Sequence, residues 1–365
     1  MPTEGVKTGP TQAPADVSVV ICAYTEARWP DLYAAVESVR GQKVRPREII
    51  VVIDHNPSLL QRARQELSGA VVISNGQTRG LSGARNSGLA AARGAIVAFL
   101  DDDAVAAPDW LDRLCAGYAE ANVLGVGGAI EPLWWNDRRP SWFPEEFDWV
   151  VGCTYRGMPL VSARVRNLIG CNMSLRREVF AEVGGFRTGI GRVEALPMGC
   201  EETELCIRAG RRWPQGQWLY QPGAKVSHRV PAARGRWRYF LSRCYAEGLS
   251  KAQITQFTGF QAGLSSEGRY VTRALPLGIL RSLGQALARG EGAGVLRAGA
   301  IVAGLGFTAA GFIRGRIAVS LRPGTAASGR NQPRHTGHRG EPSSRGVERD
   351  APSGAGLPPG PGGAL

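Results

Sequence analysis

The first half of the chain alternates two hydrophobic patterns. Val17–Ala23 (VSVVICA), Glu48–Ile53 (EIIVVI) and Ala95–Leu100 (AIVAFL) are short, nearly unbroken apolar runs rich in β-branched residues. Runs of this kind make strands buried on both faces. Ala70–Ser74 is a shorter strand candidate. Between them, Pro30–Gly41 sets Leu32, Ala35, Val36 and Val39 at helical spacing, and Leu59–Leu67, Leu81–Arg93 and Pro108–Ala119 read as further helices. This β-α-β-α order predicts an α/β fold with a Rossmann-like, mostly parallel central sheet and helices on both faces. Right-handed crossovers then bring the loops that follow the strands to one edge, where ligands bind in such folds.

The second half is less regular. Glu131–Val150 gathers Trp134, Trp135, Trp142, Phe143, Phe147 and Trp149. Cys171–Val183 reads as a turn entering a helix, Glu201–Ala209 as a short helix with an acidic start, Trp218–Tyr220 and Ala224–Val226 as short strands, and Arg236–Phe257 as an Arg-bearing amphipathic helix. Val271–Ser320 is apolar with interspersed arginines, and Ala298–Ile313 runs 16 residues without a charge. That is short of the roughly 20 residues of a membrane span and suits an interfacial or re-entrant segment. A helical hairpin packed on the rest of the protein is the other reading.

Composition narrows the class. With 365 residues and 43% hydrophobic content the chain is too apolar for global disorder. A formal charge of +13 favours anionic partners: nucleotides, phospholipid surfaces or nucleic acid. Much of that excess lies in the tail and beside the apolar C-terminal stretch, and no nucleic-acid-binding motif appears, so nucleic acid is not an expected partner. The seven cysteines show no C-x-x-C pair, which predicts neither a disulfide framework nor a structural zinc site. The opening MPTEGVKTGPTQAPAD has no apolar core of a secretory signal, so a protein that is not secreted is expected.

Several side chains can carry chemistry at the predicted ligand edge. Asp54 follows a buried strand, where a carboxylate accepts hydrogen bonds from a base or ribose; it equally suits the turn before Asn56-Pro57. Asp101, Asp102 and Asp103 follow AIVAFL directly, and adjacent acids repel unless a cation is near. In extended chain Asp101 and Asp103 point the same way. Hard oxygen ligands suit Mg²⁺ or Mn²⁺ shared with a diphosphate. Gly80, Gly83, Arg85, Asn86 and Gly88 lie in RGLSGARNSGL, at a loop-to-helix entry suited to phosphate or to close helix packing. Glu201 and Glu202 open a helix, favoured there by its dipole or serving as a general base. His228 is either structural or a metal ligand. Arg229, Arg234 and the arginines after them grip phosphate or lipid headgroups, or solvate a helix face. The tryptophans are core or a stacking wall for sugar rings and lipid.

Taken in order, VSVVICAYTEA, Asp54, RGLSGARNSGL, LDDDAVAAPDWL, GCNMSLRREVFAEVGGF, GCEETELCIR and His228 resemble the family 2 glycosyltransferases of GT-A fold, over roughly residues 17–245. EPLWWNDRRPSWFPEEFDWVVGC and RCYAEGLSKAQ are similar to the glucosyl-dolichyl-phosphate glucuronosyltransferase subgroup. The resemblance implies an inverting transfer from a nucleotide-sugar donor, UDP-linked and possible as UDP-glucuronate, to a glycan or lipid-linked acceptor. It places Ala23, Tyr24, Glu26, Asp54, Gly80, Arg85, Asn86, Asp101 and Asp102 on the nucleotide-sugar, and Asp101, Asp103 and His228 on Mg²⁺ or Mn²⁺. Glu202 becomes the base and Glu201 its neighbour at the sugar or acceptor, with Trp134, Trp135, Cys171, Asn172 and Arg234 on the acceptor side. The motifs depart from the family's usual pattern in Glu202, where Asp is common, in Ala104 after the acidic motif, and in Tyr24-Thr25-Glu26.

The implied layout is a flexible lead (1–15), a GT-A domain (16–230) with a nucleotide-binding half (16–130) and an acceptor half (131–230), a helical membrane-associating region (231–321) and a disordered tail (322–365). It implies a peripheral or monotopic protein on the cytoplasmic side of the cell membrane. A nucleotidyltransferase of similar fold is the alternative enzyme, though Glu201-Glu202 and His228 suit it less well.

Overall fold

The computed structural model describes residues 15–188, 199–259 and 267–320. The lead up to residue 14 and the tail from 322 lie outside them.

Strands β1 (Ala15–Ala23), β2 (Pro46–Ile53), β3 (Val71–Ser74) and β4 (Ile96–Asp101) pair in parallel, with helices α1 (Trp29–Arg40), α2 (Pro57–Glu66) and α3 (Leu81–Ala91) as crossovers. The unbroken apolar runs are explained by burial on both faces. Val19 and Ile21 join a core with Leu32 and Val36 of α1, while Val20 joins a second core with Ile50, Val52 and Ala84 of α3. Successive side chains of a strand point to opposite faces, so both parities must be apolar.

Beyond β4 the sheet is mixed. β5 (Ala104–Ala106), β6 (Val123–Trp134), β7 (Ala163–Val165), β8 (Asn172–Arg176) and β9 (Gln217–Val230), with α4 (Trp110–Ala116) after β5, complete nine strands among the described residues in the order β3-β2-β1-β4-β8-β6-β9-β5, with β7 also beside β9. β8 runs antiparallel to both β4 and β6, and β6 runs parallel to β9. The parallel pattern expected for the sheet is thus its N-terminal half. The two short strands expected around 218–226 are one long strand, β9, and Asn172–Arg176 is a strand before its helix, α5 (Arg177–Val183).

Asn172 was expected beside the acceptor. It is instead fully buried in the sheet. Its Nδ2 donates to the carbonyls of Ala129 (2.9 Å) and Ala224 (2.8 Å), and its Oδ1 accepts from Trp110 Nε1 at 2.8 Å. Every polar atom of the amide is used to tie β8 to β6, β9 and α4. The strands bulge together here, and a Cβ on Gly128 would lie 1.8 Å from Ala224 O, so only glycine fits.

The C-terminal part packs on this body as α6 (Glu201–Arg212), α7 (Trp237–Thr258), α8 (Leu275–Arg289) and α9 (Gly292–Ser320), with a π-helical turn, Tyr270–Ala274, leading into α8. α9 lies against α7 along a small-residue seam. A Cβ on Gly311 would be 2.1 Å from Tyr245 O, and one on Gly248 2.1 Å from Thr308 O. The inner face of α9 buries Ala298, Ile301 and Gly304, while Val295, Leu296, Val302, Ile313 and Ile317 are exposed; α8 exposes Leu280 and Leu287. Residues Gly292–Ala318 are, among the described residues, the one helix apolar and long enough to cross a membrane. The packed hairpin and the outward apolar surface are both present, on opposite sides of the same helix.

Candidate active site

The carboxyl ends of β1, β2 and β4 open into a cavity of about 1470 Å³ that extends to the C-terminal helices. Ala23, Tyr24, Asp54 and Gly80 line it at the strand ends. Asp54 accepts from Asn75 Nδ2 (2.6 Å), His55 Nδ1 (2.8 Å) and the Gly80 amide (2.9 Å), so it also pins the loop that enters α3.

Arg85 is buried at the centre. Its guanidinium donates to Glu201 Oε1 at 2.9 Å, to Gly170 O at 3.1 Å and to Asp101 Oδ1 at 3.4 Å. One cation thus joins the end of β4 to the start of α6. Removing one partner of such a buried pair typically costs about 3–5 kcal/mol. Glu201, expected at the sugar or acceptor, spends one oxygen on Arg85; its Oε2 is buried without a hydrogen-bond partner. Glu202 lines the cavity beside it. Burial and the neighbouring Glu201 charge push its carboxyl up to about 8, against the lowering pull of Arg85.

The three aspartates part company because Asp102 and Asp103 form a turn between β4 and β5 instead of extended chain. Asp101 remains partly open to the cavity, with a side chain 30% exposed, whereas those of Asp102 and Asp103 are 6% exposed. Asp102 and Asp103 both meet Arg28 Nη1, at 3.0 and 3.2 Å. Burial, then the Asp103 charge, pushes Asp102 up to about 7. Burial also raises Asp103, but His228, through its charge and hydrogen bond, and then Arg234 and Arg28 carry it well below the usual range. His228 reaches the aspartates because β9 pairs with β5, residue 228 opposite Ala104, and its Nε2 lies 3.1 Å from Asp103 Oδ1. Arg234 approaches Asp103 at 3.7 Å.

The donor atoms of Asp101, Cys171 and His228 lie within 4.8 Å of one another. With Asp103 against the same imidazole and Asp102 Oδ2 buried without a partner, this donor set fits a divalent cation.

Four further site expectations are corrected. Glu26 is exposed, accepts from Ser58 Oγ and does not line the cavity. The Asn86 amide is consumed by Phe186, donating to its carbonyl and accepting from its amide, both at 2.8 Å. Trp134 is buried against Phe143, and Trp135 faces a separate shallow groove with Arg138 and Pro140. The aromatic cluster is therefore mainly core: buried Phe143 and Phe147 and half-buried Trp142 pack around Phe240 of α7.

Two features escaped the sequence reading. Arg28 was a lone arginine with no spacing signal. The far wall carries an ion-pair chain: Arg243–Glu247 (2.9 Å), Glu247–Lys251 (3.5 Å), Lys251–Glu267 (2.6 Å) and Glu267–Arg166 (2.9 Å). The i, i+4 ladder of Arg243, Glu247 and Lys251 was visible as helical spacing; its closure through Glu267 was not. Burial raises Glu247, but Arg243 and Lys251 outweigh it and bring the carboxyl to about 2.

Comparison with known proteins agrees with this architecture. Residues 18–184 match the family described as glycosyl transferase family 2. A glucosyl-dolichyl phosphate glucuronosyltransferase of Haloferax volcanii is 36% identical over 239 residues, 64% of this chain and 76% of that protein. The succinoglycan biosynthesis protein ExoM of Rhizobium meliloti is 25% identical over 248 residues, 65% of this chain and 74% of that protein. Among solved structures, the mannosyltransferase PcManGT of Pyrobaculum calidifontis, in complex with GDP-Man and Mn²⁺, shares the fold, with a TM-score of 0.52 at 18% identity, covering 84% of this chain and 91% of that one. The α/β body is a GT-A fold, and the chain is a glycosyltransferase that belongs to glycosyltransferase family 2.

Proposed function

We propose that this enzyme moves a sugar from a UDP-linked donor, with UDP-glucuronate the first candidate, to a hydroxyl of a polyprenyl-linked sugar at the cytoplasmic face of a membrane, inverting the anomeric carbon. One observation carries the reading: a single cavity runs from the acidic strand ends to apolar side chains of the C-terminal helices, Leu277 of α8 and Leu305 and Phe312 of α9. A water-soluble nucleotide and a lipid-linked acceptor need such opposite ends. Arg164, Arg269 and Arg273 also line the cavity and suit the acceptor's phosphate. The similarity to an enzyme that acts on glucosyl-dolichyl phosphate supports the same acceptor class.

In this mechanism Asp54 and the Gly80 loop hold the nucleoside. Asp101, Asp103 and His228 would hold Mg²⁺ or Mn²⁺, which neutralises charge on the departing diphosphate. Ionised Glu202 takes the proton of the acceptor hydroxyl, whose oxygen forms the new bond to the anomeric carbon as the bond to the diphosphate breaks on the opposite face. Arg85 keeps Glu201 and Asp101 in register so that base and donor share one geometry. Leu280, Leu287 and the outer face of α9 rest in the membrane interface.

The test is transfer by purified protein with Mn²⁺, a panel of UDP- and GDP-sugars, and polyprenyl-phosphate glucose in vesicles. UDP release matched mole for mole by an extended lipid of inverted linkage supports the proposal, and EDTA should abolish it. Transfer from GDP-sugars alone, or to soluble glycans in preference to the lipid, overturns it.

A further inference from the structure

We infer that Cys171 is a ligand of the active-site cation, giving a centre otherwise built of oxygen and imidazole one soft donor and a preference for Co²⁺ or Zn²⁺ over Mg²⁺. This rests on the cation site of the proposed function and adds to it the identity of the donor that sets metal choice. Among the described residues, Asp101, Cys171 and His228 are the one group of three His, Cys, Asp or Glu side chains whose ligand atoms fall within 4.8 Å of one another. The group converges for reasons built into the sheet. β8 pairs antiparallel with β4, with Asn172 opposite Leu100, so the next residues outward, Cys171 and Asp101, stand side by side at the strand ends. β9 delivers His228 opposite Ala104.

Cys171 is also held firmly. The residue after it is Asn172, whose amide makes three buried hydrogen bonds, so the thiol's backbone has little room to swing away. Cys171 and His228 are buried and Asp101 is partly open, which leaves the remaining coordination positions to face the cavity. A second thiol, Cys153, lies 3.8 Å from His228 Nδ1, on the other ring nitrogen from the one that meets Asp103. It is a built-in control.

Hard cations take carboxylate oxygen and gain little from sulfur, whereas thiolate favours the softer members of the first-row series. On binding, the sulfur–metal bond forms and the thiol proton leaves to solvent.

The experiment titrates the full chain, with UDP present, using Co²⁺. Absorption reads the thiolate-to-cobalt charge-transfer band and equilibrium dialysis reads the amount bound. The band should appear in the wild type and in Cys153→Ser and be absent in Cys171→Ser. Cobalt affinity of Cys171→Ser should fall about tenfold or more, with Mg²⁺ affinity changed far less. X-ray absorption of the zinc-loaded wild type, which needs no variant, should show one sulfur at about 2.3 Å. Bound cobalt without a charge-transfer band, a band that persists in Cys171→Ser, or zinc with only nitrogen and oxygen neighbours overturns the inference and leaves the proposed transfer standing. Failure to bind any divalent cation overturns both.

Discussion

The pH dependence of turnover follows from where Glu202 sits. Its carboxyl is pushed up to about 8, first by burial and then by the Glu201 charge beside it. A general base acts only when ionised. With that value about a tenth of the molecules carry ionised Glu202 at pH 7 and about nine-tenths at pH 9, so kcat/KM for the acceptor, at saturating donor and Mn²⁺, should climb roughly tenfold across that range. Glu202→Gln should lower kcat by about 10²- to 10⁴-fold and abolish the rise. Glu201→Gln removes a like charge. Ionised Glu202 then becomes easier to form, and the acid limb should move down by about one unit even if the plateau drops because Arg85 has lost a partner. A profile flat from pH 6 to 9 in the wild type, or an acid limb that moves upward in Glu201→Gln, would refute the reasoning. The shift in the limb separates the electrostatic role of Glu201 from a structural one, since simple misfolding lowers the plateau without moving the limb.

Three other outcomes are expected. Asn172→Leu strands two buried carbonyls and the Trp110 indole N–H, so urea unfolding should show a loss of about 3–6 kcal/mol. Gly311→Leu forces a side chain against Tyr245 O and should cost roughly 1–3 kcal/mol in thermal or urea unfolding, with the separation of α9 from α7 seen as faster proteolysis of the hairpin. The double change Leu280→Glu with Leu287→Glu alters only exposed positions; sedimentation with anionic vesicles should fall severalfold while the melting temperature holds.

The N-terminal half was legible because its signals are local. β1, β2 and β4 are buried on both faces, and such strands leave unbroken apolar runs. Asp54, Arg85, the Asp101–Asp103 turn, Glu201, Glu202 and His228 sit in segments whose order along the chain is itself informative, and the fold gathers them at one cavity. β6 was illegible because GVGGA reads as loop: its glycines answer to neighbours such as Ala224, distant in sequence. β9 carries Gln221-Pro222-Gly223, a turn signal overridden by pairing with β6 across a bulge. Asn172 looked like a polar residue in a functional segment, and only the three partners it finds in the folded sheet show that its amide is spent. Arg28 and Cys171 gain their meaning from what lies opposite them, which spacing along one chain does not record.

The seam between α7 and α9 divides labour by side-chain size. The two helices are held by backbone against backbone, through Gly248 and Gly311, and the larger apolar residues Val302, Ile313 and Ile317 stay on the outside. At these two crossings the outward apolar side chains take no part in the grip, while Ile301, also large, turns inward. On the membrane-bound reading proposed above, the hairpin would meet lipid with its seam to α7 already closed.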